Sequence, residues 1–378
     1  MKQTIVAERL FDGQQFHSEL PITFEDGNII AFDTVKGAKE SKVNGTVCPG
    51  FIDVQVNGGG GVLFNATPTR QGIEAIGLAH AKFGTTAYLP TLITDNVSVM
   101  QHAADAVADA IAAKSSGVLG VHFEGPHLSI PKKGVHPQPH IRRISNAELE
   151  VFSRQDLGVR VVTLAPENVS PEVISALVES GVKVCLGHSN ADYDTVKAAL
   201  DAGATGFTHL FNAMSAFGSR SPGMVGAALE SADAWCGLIV DGHHVHPAAA
   251  KVAINAKPQG KVMLVTDAMP PVGLDSEESF ELFGTEVIRV GDRLNAVTGE
   301  LAGCVLDMAG AVRNSVSMLD LSPEEAMRMA SLYPAKFLGI DKQFGSLEIG
   351  KRADLVLIND EYKVQQTYIG GQLIFSAR

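Results

Sequence analysis

Two linked runs decide the fold: Val182-Lys183-Val184-Cys185-Leu186-Gly187-His188-Ser189-Asn190 and Thr205-Gly206-Phe207-Thr208-His209-Leu210-Phe211-Asn212-Ala213-Met214. Each opens with an apolar segment short enough for a buried parallel strand, and each segment leads to a histidine, His188 or His209. Between them, residues 190–202 carry apolar side chains at helical spacing, with Gly203 as the stop. Strand, helix and strand in that order set two imidazoles side by side at the carboxyl ends of neighbouring strands, where α/β barrels and open α/β sheets hold their chemistry. Taken alone, such a pair also fits two hydrogen-bonded histidines on a barrel rim. A third run, Gly117-Val118-Leu119-Gly120-Val121-His122-Phe123, ends on Glu124-Gly125-Pro126. One carboxylate and two imidazoles on three strand ends make a ligand set for a catalytic divalent metal, with a position left open to water.

The same alternation extends in both directions. Strands are predicted at 51–56, 85–90, 117–124, 159–165, 182–186, 205–208, 235–240 and 262–266, with helices between them, among them 96–113, 171–180 and 247–256. Eight strands predict a (β/α)8 TIM barrel over 49–338. The crossover at 126–157 is long, rich in Pro and His at its start, and suited to covering a substrate. Residues 280–301 read as a hairpin or small strand pair, within a β insertion near 275–301. Helices follow at 308–319 and 323–338, the second opened by Ser322-Pro323-Glu324-Glu325. Residues 1–48 and 339–378 are β-rich, with turns such as Asp12-Gly13 and Asp26-Gly27. They are expected to form one small β-sandwich from both ends of the chain.

Composition narrows the function. The 378 residues are 45% hydrophobic and 19% charged, as in a folded soluble domain. Thirty basic against 42 acidic residues, a net charge of −12, argue against nucleic acid or an anionic membrane as partner but leave room for a small anionic substrate held by a few local cations. The first residues lack the apolar core of a signal peptide, no apolar run nears the ~20 residues of a membrane span, and a cytoplasmic location is expected. Cys48, Cys185, Cys236 and Cys304 are far apart, form no Cys-x-x-Cys pair and read as reduced core residues.

Other strand ends carry chemistry too. Strand one runs into Asp53-Val54-Gln55-Val56-Asn57, strand seven into Asp241-Gly242-His243-His244, and strand eight into Asp267. A carboxylate at Asp267 is placed to take a proton from water and return it to a leaving nitrogen, although it could also cap the next segment.

Seven motifs, in order and spacing, resemble the N-acetylglucosamine-6-phosphate deacetylases of the amidohydrolase superfamily. They are Pro49-Gly50-Phe51-Ile52-Asp53, His122-Phe123-Glu124-Gly125-Pro126, Lys132-Lys133-Gly134-Val135-His136, Gly187-His188-Ser189-Asn190-Ala191, Thr208-His209-Leu210-Phe211-Asn212-Ala213-Met214, Asp241-Gly242-His243-His244 and Val265-Thr266-Asp267-Ala268. The resemblance implies hydrolysis of the acetamide of N-acetyl-D-glucosamine 6-phosphate to D-glucosamine 6-phosphate and acetate, with the galacto epimer as alternative substrate. It implies one divalent metal per chain on Glu124, His188 and His209, zinc first, with Fe, Co, Mn, Ni and Cd as the other candidates. Asp267 takes the role of general base and then acid, and His136 polarises the carbonyl. Asn212 and Ala213 contact the sugar. Arg220 and His244 meet the phosphate, one of them across the interface of an expected homodimer.

Relatives with two metals have His-x-His where this chain has Gln55-Val56-Asn57, and carboxamides are poor ligands for a zinc-like ion. Gln55 and Asn57 are therefore expected to hydrogen-bond waters or the site. Strand four lacks the lysine of a two-metal cyclic amidase or deaminase. A silent sugar-phosphate binding protein should lack a ligand or Asp267, and none is missing. His127 departs from the family pattern, either altering the loop or binding surplus metal. His122, two residues before Glu124, is expected to support the site without ligating, and His17, His80 and His102 are read as surface or core histidines. His140, His243 and His246 lie near the site by sequence only, and Lys132 and Lys133 are candidates to attract an anion.

Overall fold

A computed structural model describes residues 2–274, 279–297 and 299–377. Eight parallel strands hydrogen-bond in chain order: β1 (Phe51–Val56), β2 (Thr85–Ile93), β3 (Gly120–Glu124), β4 (Val159–Leu164), β5 (Lys183–Leu186), β6 (Gly206–Phe207), β7 (Trp235–Leu238) and β8 (Val262–Leu264). The circle closes just past the last strand. Asp267 N–H donates to the Gln55 carbonyl (3.0 Å), and Asn57 N–H donates to that of Ala268 (2.9 Å). Each strand is followed by a helix: α1 (Arg70–Ala81), α2 (Val97–Ala112), α3 (Asn146–Phe152), α4 (Pro171–Glu179), α5 (Tyr193–Asp201), α6 (Gly223–Glu230), α7 (Pro247–Ala256) and α8 (Met308–Leu319). This is the expected TIM barrel. The strands are apolar throughout because helices cover them outside and side chains fill them inside.

Local chemistry sets the helix limits. Asp192 accepts from Thr195 N–H, so α5 starts at Tyr193 and not at 190. The helix expected over 323–338 is two, α9 (Pro323–Ala330) and α10 (Leu332–Leu338), broken at Ser331. The reason is Pro334, which lacks the N–H that a continuous helix would direct at Ala330. Two helices, α3 and α6, fall outside the sequence expectation. The first is closed by a capping box between Ser145 and Glu148.

The inserted region is larger than a strand pair. Phe280–Leu282, Thr285–Val290, Arg293–Ala296 and Leu301–Cys304 form a four-stranded antiparallel sheet, while residues 275–278 and 298 of the expected insertion lie outside the described residues. Its last strand docks on the barrel: Met269 N–H donates to the Cys304 carbonyl (3.1 Å) and Cys304 N–H to that of Asp267 (3.2 Å).

The β-rich ends form one eight-stranded sheet. Lys39–Pro49 lies at its centre, parallel to Gln3–Phe11 on one side and antiparallel to Leu355–Ile358 on the other. Phe24 and Tyr368, from strands near opposite edges, meet edge to face with centroids 5.9 Å apart. The sheet therefore curls on itself, and its two arms share one core of Ile5, Leu10, Ile22, Val47 and Leu355. All four cysteines are free and buried.

Candidate active site

Glu124 ends β3, and His188 and His209 follow β5 and β6. All three are buried, and their ligand atoms lie within 4.8 Å of one another, the one such group of three or more among the described residues. Glu124 Oε1 is 3.1 Å from His188 Nε2 and 3.0 Å from His209 Nε2, and the two Nε2 atoms are 3.0 Å apart. His188 Nδ1–H donates to the Lys132 carbonyl (2.8 Å), which turns its Nε2 inward, toward Glu124 and His209. Burial alone would raise the Glu124 carboxyl, yet the hydrogen bonds and charges of both imidazoles hold it well below the usual carboxylate range. The two nitrogens and the carboxylate oxygen converge on a common point, and this donor set fits a divalent cation. Both histidines have left-handed backbones, φ +47° and +33°, conformations that non-glycine residues adopt where surrounding structure enforces them, often at functional sites.

Asp267 follows β8 with φ +52° and stands across from this cluster. Gln55 Nε2 donates to Glu124 Oε2 (3.1 Å) and to Asp267 Oδ1 (3.2 Å), and Asn57 Nδ2 donates to the same Asp267 oxygen (2.6 Å). The Gln55 amide thus bridges the buried Glu124 carboxylate and the half-buried Asp267 carboxylate, and Asn57 holds the second alone. Burial and the Glu124 charge raise the Asp267 carboxyl, and the Asn57 hydrogen bond works in the opposite direction.

His136 comes from the long crossover after β3. Its ring lies 4.4 Å, centroid to centroid, from that of His188 and is buried. Burial, with the His188 charge second, lowers it well below the ordinary histidine value, so the imidazole is neutral. Glu124, His136, His188, His209 and Asp267 all line one cavity of about 190 Å³, together with Asn57, Asn212, Ala213 and His244. Leu301 and Gly303 of the inserted sheet close part of its wall. Asn212 Nδ2 is tied to the His209 carbonyl (3.2 Å), and Ala213 is left-handed at φ +51°.

His244 Nδ1–H donates to Asp241 Oδ2 (2.6 Å), and the backbone N–H groups of His243 and His244 donate to Oδ1 (2.8 and 2.9 Å). Burial pushes Asp241 up, and these bonds together bring it below its ordinary value. Arg220 is exposed on the loop before α6 and is not among the residues that line the cavity. Among the described residues no Lys or Arg lines it.

The remaining histidines sort by partner. His122 lies inside the barrel, its Nδ1–H donating to the Val54 carbonyl (3.1 Å) and its Nε2 accepting from the Thr163 hydroxyl (2.7 Å). His127 is buried, its Nδ1 pairs with the Arg142 carbonyl (2.9 Å), and its ring meets Phe152 edge to face. It thereby pins the crossover, and it is not part of the one group of three ligand residues found among the described residues. His80 holds the Gly58 carbonyl (2.9 Å), His243 pairs with Asp292 of the inserted sheet (2.9 Å), and His246 caps α7. Lys133 reaches the Gly134 carbonyl (3.1 Å), and the contribution of Lys132 is its own carbonyl on His188.

Three supporting residues escaped the sequence reading: Thr94, whose N–H and hydroxyl face His136; Glu167, which accepts from the Ser189 hydroxyl (2.6 Å) and Asn190 N–H (2.7 Å) and so shapes the turn after His188; and Asp241 as partner of His244. The Asp241-Gly242-His243-His244 spacing is the one sequence signal that could have shown such a partner.

Comparison with known proteins places this arrangement. The model of the amidohydrolase family matches residues 46–374. The chain is 52% identical to a protein of Shewanella sp. (strain ANA-3) named N-acetylgalactosamine-6-phosphate deacetylase, over 88% of this chain and 84% of that one. It is 40% identical to the Homo sapiens N-acetylglucosamine-6-phosphate deacetylase, again over 88% and 84%. The crystal structure of N-acetylglucosamine-6-phosphate deacetylase from Pasteurella multocida superimposes with a TM-score of 0.95 over the whole of both chains, at 34% identity. The barrel, its Glu/His/His cluster and these likenesses agree: the chain belongs to the amidohydrolase family.

Proposed function

We propose that this chain hydrolyses the acetamide of N-acetyl-D-glucosamine 6-phosphate, yielding D-glucosamine 6-phosphate and acetate, with one divalent metal on Glu124, His188 and His209. The observation that carries the reading is the convergence of that ligand set, Asp267 and His136 on one cavity. A bound divalent ion would supply Lewis acidity to water and to the acetamide carbonyl. Asp267, raised by burial, accepts the proton of the attacking water and later delivers it to the departing nitrogen. Neutral His136 donates to the acetamide oxygen as negative charge develops there. Gln55 and Asn57 keep Asp267 aimed at the reacting atoms. Asn212 and Ala213 take the sugar. His244, oriented by Asp241, takes the phosphate with an Arg220 that a second copy of the chain brings to the cavity mouth. A homodimer is part of this reading, in which the arginine missing from the cavity wall, where no Lys or Arg lies among the described residues, comes from the second copy.

The galacto epimer is the second reading, favoured by the 52% identity to the Shewanella protein of that name. The deciding experiment follows acetate release from N-acetyl-D-glucosamine 6-phosphate, its galacto epimer and the unphosphorylated sugars, with metal counted in the same sample. Turnover of a 6-phosphate alone, at about one metal per chain, supports the reading. No turnover of any of the four by metal-loaded protein overturns it. The same assay assigns the epimer, and reloading stripped protein with single ions ranks zinc against Fe, Co, Mn, Ni and Cd.

A further inference from the structure

Strand β2 ends without a carboxylate or histidine, yet the residue that follows it, Thr94, is fully buried beside the site. Its backbone N–H points at His136 Nδ1 (3.3 Å), and its hydroxyl lies 2.8 Å from the same nitrogen. The hydroxyl also sits 3.4 Å from the Glu124 carbonyl. There is no slack around it: a Cβ built on Gly125 would come within 2.2 Å of Thr94 Oγ1, at a backbone φ of +91°. The hydroxyl is thus held between the residue after the metal-ligand strand and the imidazole of the long crossover.

A backbone N–H only donates. A nitrogen facing it must be the bare one, and in a neutral imidazole the proton then sits on the other nitrogen. Nε2–H is left as the donor that His136 offers to a group in the cavity that its ring lines. The hydroxyl has one proton and two acceptors, the Glu124 carbonyl at 3.4 Å and Nδ1 at 2.8 Å; the shorter contact takes it, which makes the hydroxyl a closer donor to Nδ1 than the backbone N–H at 3.3 Å.

We propose that Thr94 is a positioning residue, holding His136 in the Nε2–H tautomer that can donate to the acetamide oxygen. The inference rests on the role given to His136 above. Strand two then contributes to the reaction through another residue's proton.

The test uses full-length, zinc-loaded enzyme with histidine ¹⁵N labels, N-acetyl-D-glucosamine 6-phosphate as substrate (or the galacto epimer if that is the one turned over), and the variants Thr94→Val, Thr94→Ser and His136→Asn. In the native protein the His136 resonances should show a bare Nδ1 and a protonated Nε2. Thr94→Val leaves only the longer backbone N–H on Nδ1, so the other tautomer should appear beside the native one and kcat should fall about 10- to 100-fold with KM within about threefold, somewhat less than loss of a whole oxyanion donor. Thr94→Ser should restore both readings. A Thr94→Val protein with the native tautomer alone overturns the proposal whatever its kcat, because the side chain would then not set the place of the proton. Failure of Thr94→Ser to recover the native spectrum overturns it as well. His136→Asn separates the two levels: native kcat there removes the polarising role, while the ¹⁵N spectra still decide what Thr94 does.

Discussion

The side-chain nitrogen of Asn57 lies 2.6 Å from Oδ1 of Asp267, a hydrogen bond from a neutral amide to the carboxylate assigned the proton transfers. Where two-metal relatives carry a second imidazole ligand, this chain places a donor that stabilises the charged form of its base. Asn57→Ala removes that donor, so the Asp267 carboxyl should rise further and the acid limb of the kcat/KM profile should move to higher pH. Hydrogen bonds to charged groups are worth about 1.5–3 kcal/mol, which corresponds to a displacement of about one to two pH units. A profile measured from pH 4 to 9 that stays in place would remove Asn57 from control of the base.

Asp267→Asn keeps the shape of the carboxylate and deletes its proton chemistry. Turnover should fall by a factor of about 10²–10⁴, as general acid–base catalysis contributes, while metal content and substrate Kd stay near native. Titration calorimetry beside the rate assay distinguishes the two effects. A variant that turns over normally means that the base lies elsewhere.

Arg220 is an exposed cation whose planar fork suits a phosphate, and the cavity wall itself contains no Lys or Arg among the described residues. Arg220→Ala should lower kcat/KM for the 6-phosphate substrate about 10- to 100-fold and leave the weak reaction of the unphosphorylated sugar unchanged. Mixing inactive Asp267→Asn with Arg220→Ala chains provides the subunit test. If the arginine acts across an interface, hybrid dimers regain activity. If it acts within its own chain, they do not.

Stability at low pH should depend on His80. It is fully buried, it is bonded through Nε2 to the Gly58 carbonyl, and its Nδ1 has no partner; burial lowers it to about 4. An unfolded histidine titrates near 6.5, so between those values the unfolded chain binds the proton and the native one does not. The stabilisation is complete above pH 6.5 and is lost as pH falls through 4, a change of up to about 3 kcal/mol. Denaturant unfolding of native and His80→Leu protein at pH 7 and pH 4 should show the gap between them narrowing with acid. A constant gap would mean that His80 is charged in the fold.

The barrel was legible because its signals are local. Most of the apolar runs lead to a carboxylate or histidine that stands out from its neighbours, and helix caps such as Asn96 and Ser322 announce where helices begin. Glu124, His188, His209 and Asp267 could be placed together because one topological rule puts all strand ends at one mouth, whereas His136, on the long crossover, came in only through the family resemblance. What stayed hidden depends on pairs far apart in sequence. Thr94 and His136 are 42 residues apart, Gln55 and Asp267 are 212 apart, and nothing in a threonine or glutamine marks its partner. The break at Ser331 was missed for another reason: a strongly amphipathic first half followed by a mostly apolar second half outweighed the single proline that divides them.

The place of Lys39–Pro49 at the centre of the terminal sheet has a consequence for biosynthesis. One flank of this strand pairs early with Gln3–Phe11, whereas its other flank waits for Leu355–Ile358, made roughly 300 residues later. At ribosomal rates of about 5–20 residues per second, that flank stays an open edge for on the order of 15 to 60 s, while the entire barrel is being synthesised. Unpaired strands of this kind recruit other chains; the waiting segment, Thr46–Pro49, carries no charge, and Pro49 at its end lacks the N–H that an intruding strand would use. The terminal sheet thus stays half built throughout the interval in which the barrel is made.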